Sequence, residues 1–484
     1  MILSVDLGTS KLCAAAVDLR TGRALAVRSC ANDTDVPDLA DDLHEQDPVR
    51  TRDLCFDLIR QVLRDDAVAG QPVDAIGISG QMHGVLLVDR DLRTLSNLIT
   101  WRDRRTAREG APGSISESLG LLDSGAERRT GCRLAVGYGG AAIRWLDRNG
   151  LLPAECTALT IAGYIATSLT GALAIDETHA ASWGILDLAR NAWDEECVSR
   201  LGIRPDVLPP IKLSGQPLGD LTGSCRQELG IEGRAIVCSP VGDCQASVIG
   251  CAGFTTDTVT VNLGTGGQIS VPKIGDRALL SENRALSPIL DDWPMPFGGF
   301  LQLGAVLCGG WSYAYLRSFL QDTVRELCGV ELSDEDVYER MNALAASAEP
   351  GAGGLVVDTR FSGTRKDESV KGSITCIDTS NLKPGNLCLA LIEGLVRDLH
   401  SIYLTSSSRD AKRLIASGNA VRKNPVLRSV INRLFDLECL MSNLPEEATR
   451  GAAYAAAVGA GLTSREDITE LIRRFAEPLI VDCG

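Results

Sequence analysis

Asp6-Leu7-Gly8-Thr9-Ser10 and Asn262-Leu263-Gly264-Thr265-Gly266 are two versions of one turn, 256 positions apart (262 minus 6). Ile2, Leu3 and Val5 precede the first, and Val259, Thr260 and Val261 the second. A further β-prone run follows each, at residues 12–17 and 268–271. That pattern predicts a hairpin with a small tip rich in backbone N–H groups. Glycine lets the backbone approach a ligand closely, and successive N–H groups make a concavity for an anion. One Gly-Thr turn alone would be only a turn; two facing tips would clamp a phosphate chain. The copies differ in charge at their first position. A carboxylate at a phosphate turn would hold Mg²⁺ directly or through water; otherwise Asp6 is a turn residue, and one charged metal partner beside the neutral turn former Asn262 would suit a single-Mg²⁺ site.

Asp243 is the candidate general base. Residues 235–238 read as a strand, Pro240 and Gly242-Asp243 as a turn, and 245–252 as a helix. Open α/β sheets bind ligands at such a junction. A carboxylate there can take the proton of a hydroxyl attacking a γ-phosphate, and phosphoryl transfer needs little beyond positioning and charge neutralisation. Helix capping is the other employment open to Asp243. Gln81, Met82 and His83 follow a strand at 75–79, and His83 is one of only four histidines; a lone histidine is more often structural. Trp101-Arg102-Asp103-Arg104-Arg105 sets a flat apolar face beside donors and an acceptor, suited to a polyol but equally to the start of a surface helix. No Gly-Lys-Ser/Thr phosphate loop, Gly-x-Gly-x-x-Gly fingerprint or Gly-x-Ser-x-Gly elbow occurs.

These residues need a scaffold, and 484 residues are too many for one core. Strand-like and helix-like runs alternate, which predicts an α/β architecture. A third strand is expected at 413–416, closed by Ser417-Gly418-Asn419. Asn424 and Pro425 then suit the start of a helix that buries Leu427, Val430, Ile431 and Leu434. The hairpin restarts near residue 258, so the chain divides into 1–245 and 246–484, each half with its own sheet and a cleft between them. Residues 116–214, with Trp145, Trp183 and Trp193, either shape that cleft or fill core.

The net charge of −15 argues against nucleic acid or an anionic membrane as partner. The run Asp33, Asp35, Asp38, Asp41, Asp42, Glu45 and Asp47 reads as a solvated loop. Sixteen cysteines lie scattered without metal or redox spacing, as free buried thiols in a reducing compartment would. The start lacks a signal-peptide pattern. The longest small apolar run, 452–462, falls short of the ~20 residues that span a bilayer. A soluble, cytoplasmic protein is expected.

Taken together, the segments resemble the FGGY family of carbohydrate kinases, in the actin/Hsp70/sugar-kinase superfamily, over nearly the whole chain. Asp6 to Ser10 and Asn262 to Gly266 match its two phosphate turns. Gly77-Ile78-Ser79-Gly80-Gln81-Met82-His83-Gly84 matches its ketose segment, and Trp101-Arg102-Asp103-Arg104-Arg105 its Trp-x-Asp-x-Arg. Gly242-Asp243-Cys244-Gln245-Ala246-Ser247 resembles the catalytic segment, and Ser417-Gly418-Asn419-Ala420 the adenosine segment.

The resemblance implies two actin-like (ribonuclease H-like) domains with the active site in the cleft, Asp243 as base, and ATP and Mg²⁺ as cofactors. Asp6 and Asp243 would hold the metal. Gly8, Thr9, Ser10, Gly264, Thr265, Gly266, Gly309, Gly310, Gly418 and Asn419 would hold the nucleotide. Gln81, Met82, His83, Trp101 and Asp103 would hold the sugar, a ketose. Within the family the nearest likeness is to the sedoheptulokinases, through the ketose segment, Ala180-Ala181-Ser182-Trp183-Gly184, the Gln-Ala-Ser after Asp243 and Ser417-Gly418. Gly363-Thr364-Arg365 departs from the family's Gly-Glu-Arg, and Thr364 takes no role. D-Xylulose or D-ribulose is the alternative substrate. A non-catalytic sugar sensor and a polymerising ATPase are the rival functions on such a fold.

Overall fold

The computed structural model describes residues 1–264, 266–273, 287, 289–364, 369–406 and 410–480. Thr265, Arg365 and Cys483 lie outside the described residues.

The first sheet grows from the first hairpin. Ile2–Leu7 and Lys11–Val17 pair antiparallel, and Ala24–Ala31 adds a third antiparallel strand. On the other side Ala75–Gly80 runs parallel to Ile2–Leu7, followed by Ile236–Cys238 and the edge strand Pro217–Asp220. The short strand Val241–Gly242 also pairs with Ala75–Gly80 in parallel. The inner strands read as unbroken apolar runs because both their faces are covered. Helix Pro48–Leu63 lies on one face, and helix Glu447–Gly459, from the far end of the chain, on the other.

The second sheet repeats this plan. Thr258–Leu263 and Gly267–Lys273 form the second hairpin, extended by Phe300–Val306 and Asp291–Pro294; Arg413–Ser417 and Glu438–Ser442 add parallel strands and Ala476–Pro478 an antiparallel edge. The registers correspond as well. Asp6 stands opposite Ser79 in the first sheet, and Asn262 opposite Ser417 in the second. Two sheets of like design, each begun by its hairpin, are what the repeated turn predicts. Helix Pro425–Leu434 begins as expected, with the Asn424 side chain accepting from Leu427 N at 3.0 Å.

Two helices cross where the sheets meet. Asp243–Ala252, from the end of the first half, touches the second sheet, while Glu447–Gly459 covers the first. Glycines allow this closeness: a Cβ on Gly451 would sit 1.7 Å from Ala246 O, and one on Gly250 1.9 Å from Glu447 O. The same helix presses on the first sheet, where a Cβ on Gly77 would meet Ala452 O at 2.2 Å. This explains the small apolar run near the C-terminus. Ala452, Ala453, Ala455, Ala456 and Ala457 are small because their helix is pressed between neighbours.

Two expectations resolve here. Trp145 and Trp183 are core, with Trp183 stacked on Trp193 at 5.5 Å. The acidic run is exposed at Asp33, Asp35, Asp38 and Asp41, though Asp33 pairs with Arg50 and Asp35 accepts from Gln46 Nε2. Asp47 caps helix Pro48–Leu63, Glu45 pairs with Arg105, and Asp42 with Arg108, so its second part holds structure together. All fifteen described cysteines are free thiols. Among the described residues no helix is long and apolar enough to cross a membrane.

Candidate active site

The first hairpin closes at Leu7 opposite Leu12, leaving Gly8 to Lys11 as its tip. A Cβ on Gly8 would stand 2.8 Å from Lys11 O, so the bend needs glycine. The neighbouring Asn32 splints it, donating Nδ2–H to Gly8 O at 2.9 Å and N–H to Ser10 O at 3.0 Å. Thr9 ties the tip to the ketose segment. Its Oγ1 donates to Gln81 Oε1 (3.2 Å) and accepts from Trp101 Nε1 (2.9 Å), while Gln46 Nε2 donates to Thr9 O (3.0 Å) and Gln81 Nε2 to Gln46 Oε1 (2.8 Å). Thr9, Gln81 and Trp101, far apart in sequence, therefore share one network. Trp101 keeps 43 % of its surface exposed. Gln46 had no sequence signal.

The two aspartates converge through strand register. Leu7, Gly80 and Gly242 stand side by side at the ends of three parallel strands. Asp6 precedes that row and Asp243 follows it. Ser79 Oγ donates to Asp6 Oδ1 at 2.9 Å. Burial, and next the negative charge of Asp243, push the Asp6 carboxyl up to about 7, against the Ser79 bond. Asp243 opens its helix at the first helical position, with Gly242 as the cap, so capping does not account for it. Cys244 N donates to Asp243 Oδ1 at 2.7 Å. Two half-buried carboxylates, the charge of Asp243 raising the protonation of Asp6, form with the serine hydroxyl an all-oxygen donor set. That chemistry fits Mg²⁺ better than a softer metal. Lys11 Nζ, from the same tip, pairs with Glu446 at 2.7 Å.

Beyond Gln81, His83 has φ 72, a left-handed conformation rare for histidine, which its two bonds to Ser182 hold. Ser182 Oγ accepts from His83 N (2.9 Å), and Ser182 O stands 2.8 Å from Nδ1. A carbonyl only accepts, so Nδ1 carries a proton. The ring stacks on Tyr138 (4.4 Å) and meets the edge of Trp293 (5.6 Å). Met82 is buried under the turn before Asp243, its Sδ 2.9 Å from where a Gly242 Cβ would be. Asp103 is 2 % exposed, and its oxygens accept from His44 N and from Arg105 N, Nε and Nη2. Its carboxylate thus fastens the loop that presents Trp101.

The second hairpin closes at Leu263 opposite Gly267, with Gly264 and Gly266 at its tip. Three glycines crowd it. A Cβ on Gly309 would fall 2.2 Å from Gly266 C, on Gly310 2.6 Å from Gly264 O, and on Gly418 (φ 96) 2.3 Å from Leu263 O. Gly310 N donates to Gly264 O at 2.8 Å. A side chain on any of them would push the backbones apart, so glycine at these positions lets the chain close on the tip. Asn419 begins the five-residue helix beside it. Cys244 Sγ donates to Gln268 Oε1 at 3.6 Å, linking the Asp243 turn to this hairpin.

Sequence reasoning missed Asp176, Thr178, His179, Tyr138 and Trp293. Asp176 caps helix Glu177–Ala181 and holds His179 Nδ1 at 2.6 Å; the ring's Nε2 reaches Gly80 O at 3.2 Å. An aspartate three residues before a histidine at a helix start is a readable cap. The contact with Gly80, 99 positions away, is not. Trp293 comes from the second half of the chain, in a stretch without any motif.

Comparison with known proteins gives the following. Models of the N-terminal and C-terminal domains of the FGGY family of carbohydrate kinases match residues 1–250 and 260–460. The chain is 29 % identical over 467 residues to a sedoheptulokinase of Mus musculus, covering 90 % of this chain and 92 % of that protein. It is 24 % identical over 443 residues to a xylulose kinase of Bacillus subtilis, covering 89 % and 83 %. The fold matches a solved xylulose kinase from Rhodospirillum rubrum with TM-score 0.85 at 23 % identity, covering 98 % of this chain and 92 % of the other.

Proposed function

The chain belongs to the FGGY family of carbohydrate kinases, and from that premise we propose that it transfers the γ-phosphoryl group of ATP to the terminal hydroxyl of a ketose, sedoheptulose before D-xylulose or D-ribulose. Asp243 is the general base. It takes the hydroxyl proton as the sugar oxygen bonds to the γ-phosphorus and the bond from that phosphorus to the β–γ bridging oxygen breaks, leaving ADP and a sugar phosphate. The observation that carries this reading is the register that sets Asp6 and Asp243 on either side of one row of strand ends.

The nucleotide's phosphates lie between the two glycine tips, with Gly8, Thr9 and Ser10 from one half and Gly264, Thr265 and Gly266 from the other. Gly309, Gly310, Gly418 and Asn419 border the second. Asp6 and Asp243 would hold Mg²⁺, which when bound would neutralise phosphate charge. Gln81, His83 and Trp101 grip the sugar, over a floor of Met82 and Asp103. Movement of the halves 1–245 and 246–484 about the crossed helices closes the cleft and excludes water that would otherwise hydrolyse ATP. The sedoheptulose preference is supported by the 29 % identity to a sedoheptulokinase across 90 % of the chain.

A coupled assay of ADP release with purified protein, Mg²⁺, ATP and ketoses of five, six and seven carbons tests this. Highest kcat/KM on the seven-carbon sugar is expected. A clear preference for a pentulose would move the substrate to the alternative, and silence across the panel would remove the reading.

A further inference from the structure

We propose that His179 is a positioning residue, held as a buried imidazolium that clamps together the strand ends bearing Asp6 and Asp243. The hydrogen-bond inventory carries it. Nε2 stands 3.2 Å from the carbonyl oxygen of Gly80, an atom that only accepts, so Nε2 bears a proton. Nδ1 stands 2.6 Å from Asp176 Oδ2. The other oxygen, Oδ1, accepts from Thr178 N (3.0 Å), His179 N (3.1 Å), Ser214 Oγ (3.0 Å) and Thr178 Oγ1. Four donors on one carboxyl oxygen keep Asp176 ionised, so Oδ2 accepts too and Nδ1 bears the second proton. With both nitrogens donating, the ring is a cation.

Its surroundings agree. The side chain is fully buried, where a charge persists only when paired. Burial alone would depress the ring's protonation; Asp176, and then Asp243, more than reverse this and hold it above its ordinary value. Strand Asp291–Pro294, packed on the same short helix, brings two further carboxylates, Asp291 and Asp292, the latter accepting from Gln302. Strand Ile211–Lys212 brings the exposed Lys212.

The clamp has two jaws. Gly80, held by His179, follows Ser79, the residue bonded to Asp6. Gly242, which precedes Asp243, donates its N–H to Thr178 Oγ1 at 2.8 Å. Gly80 and Gly242 are register partners, so one stretch, Asp176 to His179, fixes the spacing of both aspartates. The inference rests on reading those aspartates as the reacting groups.

The test has two arms. In protein labelled with ¹⁵N-histidine, four residues give ring signals, and His179→Gln assigns the one sought. Both its nitrogens are expected to carry protons from pH 6 to pH 8.5, and Asp176→Asn should convert the ring to a neutral tautomer. In the kinetic arm, kcat per folded molecule of His179→Gln should fall roughly 10- to 100-fold, with KM for ATP and ketose within about twofold. A neutral wild-type ring at pH 7, or an unchanged kcat in His179→Gln, overturns the proposal. The spectroscopic arm needs no turnover, so failure of the kinase reading would be seen separately.

Discussion

Asp6 and Ser79 face each other in parallel register, with Ser79 Oγ donating to Asp6 Oδ1 at 2.9 Å, and one strand further on Val241 occupies the same row. Two turns remote in sequence thereby deliver carboxylates to one point. The hydroxyl favours the ionised Asp6, whereas burial and Asp243 favour the protonated one and prevail. A cation bound between the two carboxylates would relieve that conflict.

Replacing the base should separate chemistry from binding. Asp243→Asn keeps the shape of the side chain but cannot take a proton, so kcat should fall by roughly 10²- to 10⁴-fold. ATP affinity, measured by calorimetry without sugar or Mg²⁺, should stay close to that of the wild type. A variant that turns over as fast as the parent would show that the proton goes elsewhere.

Asp6 also predicts a pH signature in the protein without nucleotide or metal. Its folded value of about 7 lies above the ordinary 3.8, so the contribution to stability is whole below pH 3.8 and is lost as pH rises through 7. The full displacement corresponds to roughly 4 kcal/mol as an upper figure. Asp6→Asn does not titrate. Urea unfolding in EDTA should therefore show the variant gaining on the wild type from pH 5.5 to pH 8, with Mg²⁺ narrowing the gap. A difference independent of pH would contradict the strained pair.

The turn chemistry was readable because it is local. Asp6 to Ser10 and Asn262 to Gly266 carry their glycines and flanking β-runs within a dozen residues, and Asp243 sits at a junction any strand-to-helix pattern reveals. What stayed hidden depends on long-range pairing. Nothing near His179 announces Gly80, nothing near Trp293 announces His83, and the alanine run of helix Glu447–Gly459 does not say that it covers the sheet begun at Ile2. Asp103 reads as a sugar ligand by residue type, and the sequence does not announce that its oxygens also accept from Arg105 and His44.

The crossed helices invert a familiar substitution effect. Glycine to alanine inside a helix ordinarily gains roughly 0.5–1 kcal/mol. At Gly451 the new Cβ would stand 1.7 Å from Ala246 O, against backbone that cannot rotate away. Gly451→Ala should lose about 1–3 kcal/mol through overpacking, seen as a lower denaturation midpoint with an unchanged slope. A more stable variant would mean that the two helices are not in backbone contact.

Trp293 brings the second half of the chain against His83. It is 3 % exposed, its ring meets His83 at 5.6 Å, and its indole N–H has no hydrogen-bond partner among the described residues. A buried donor left unpaired costs about 1–3 kcal/mol, and a ligand hydroxyl arriving beside His83 would recover part of it. Trp293→Phe removes the donor and keeps most of the ring. Two effects of opposite sign should follow: equal or higher thermal stability, and a KM for the ketose raised about 2- to 10-fold, the equivalent of one ordinary hydrogen bond. KM for ATP should not move. If the phenylalanine variant instead lost stability and kept its sugar KM, the indole N–H would have a partner in the folded protein and no part in recognition.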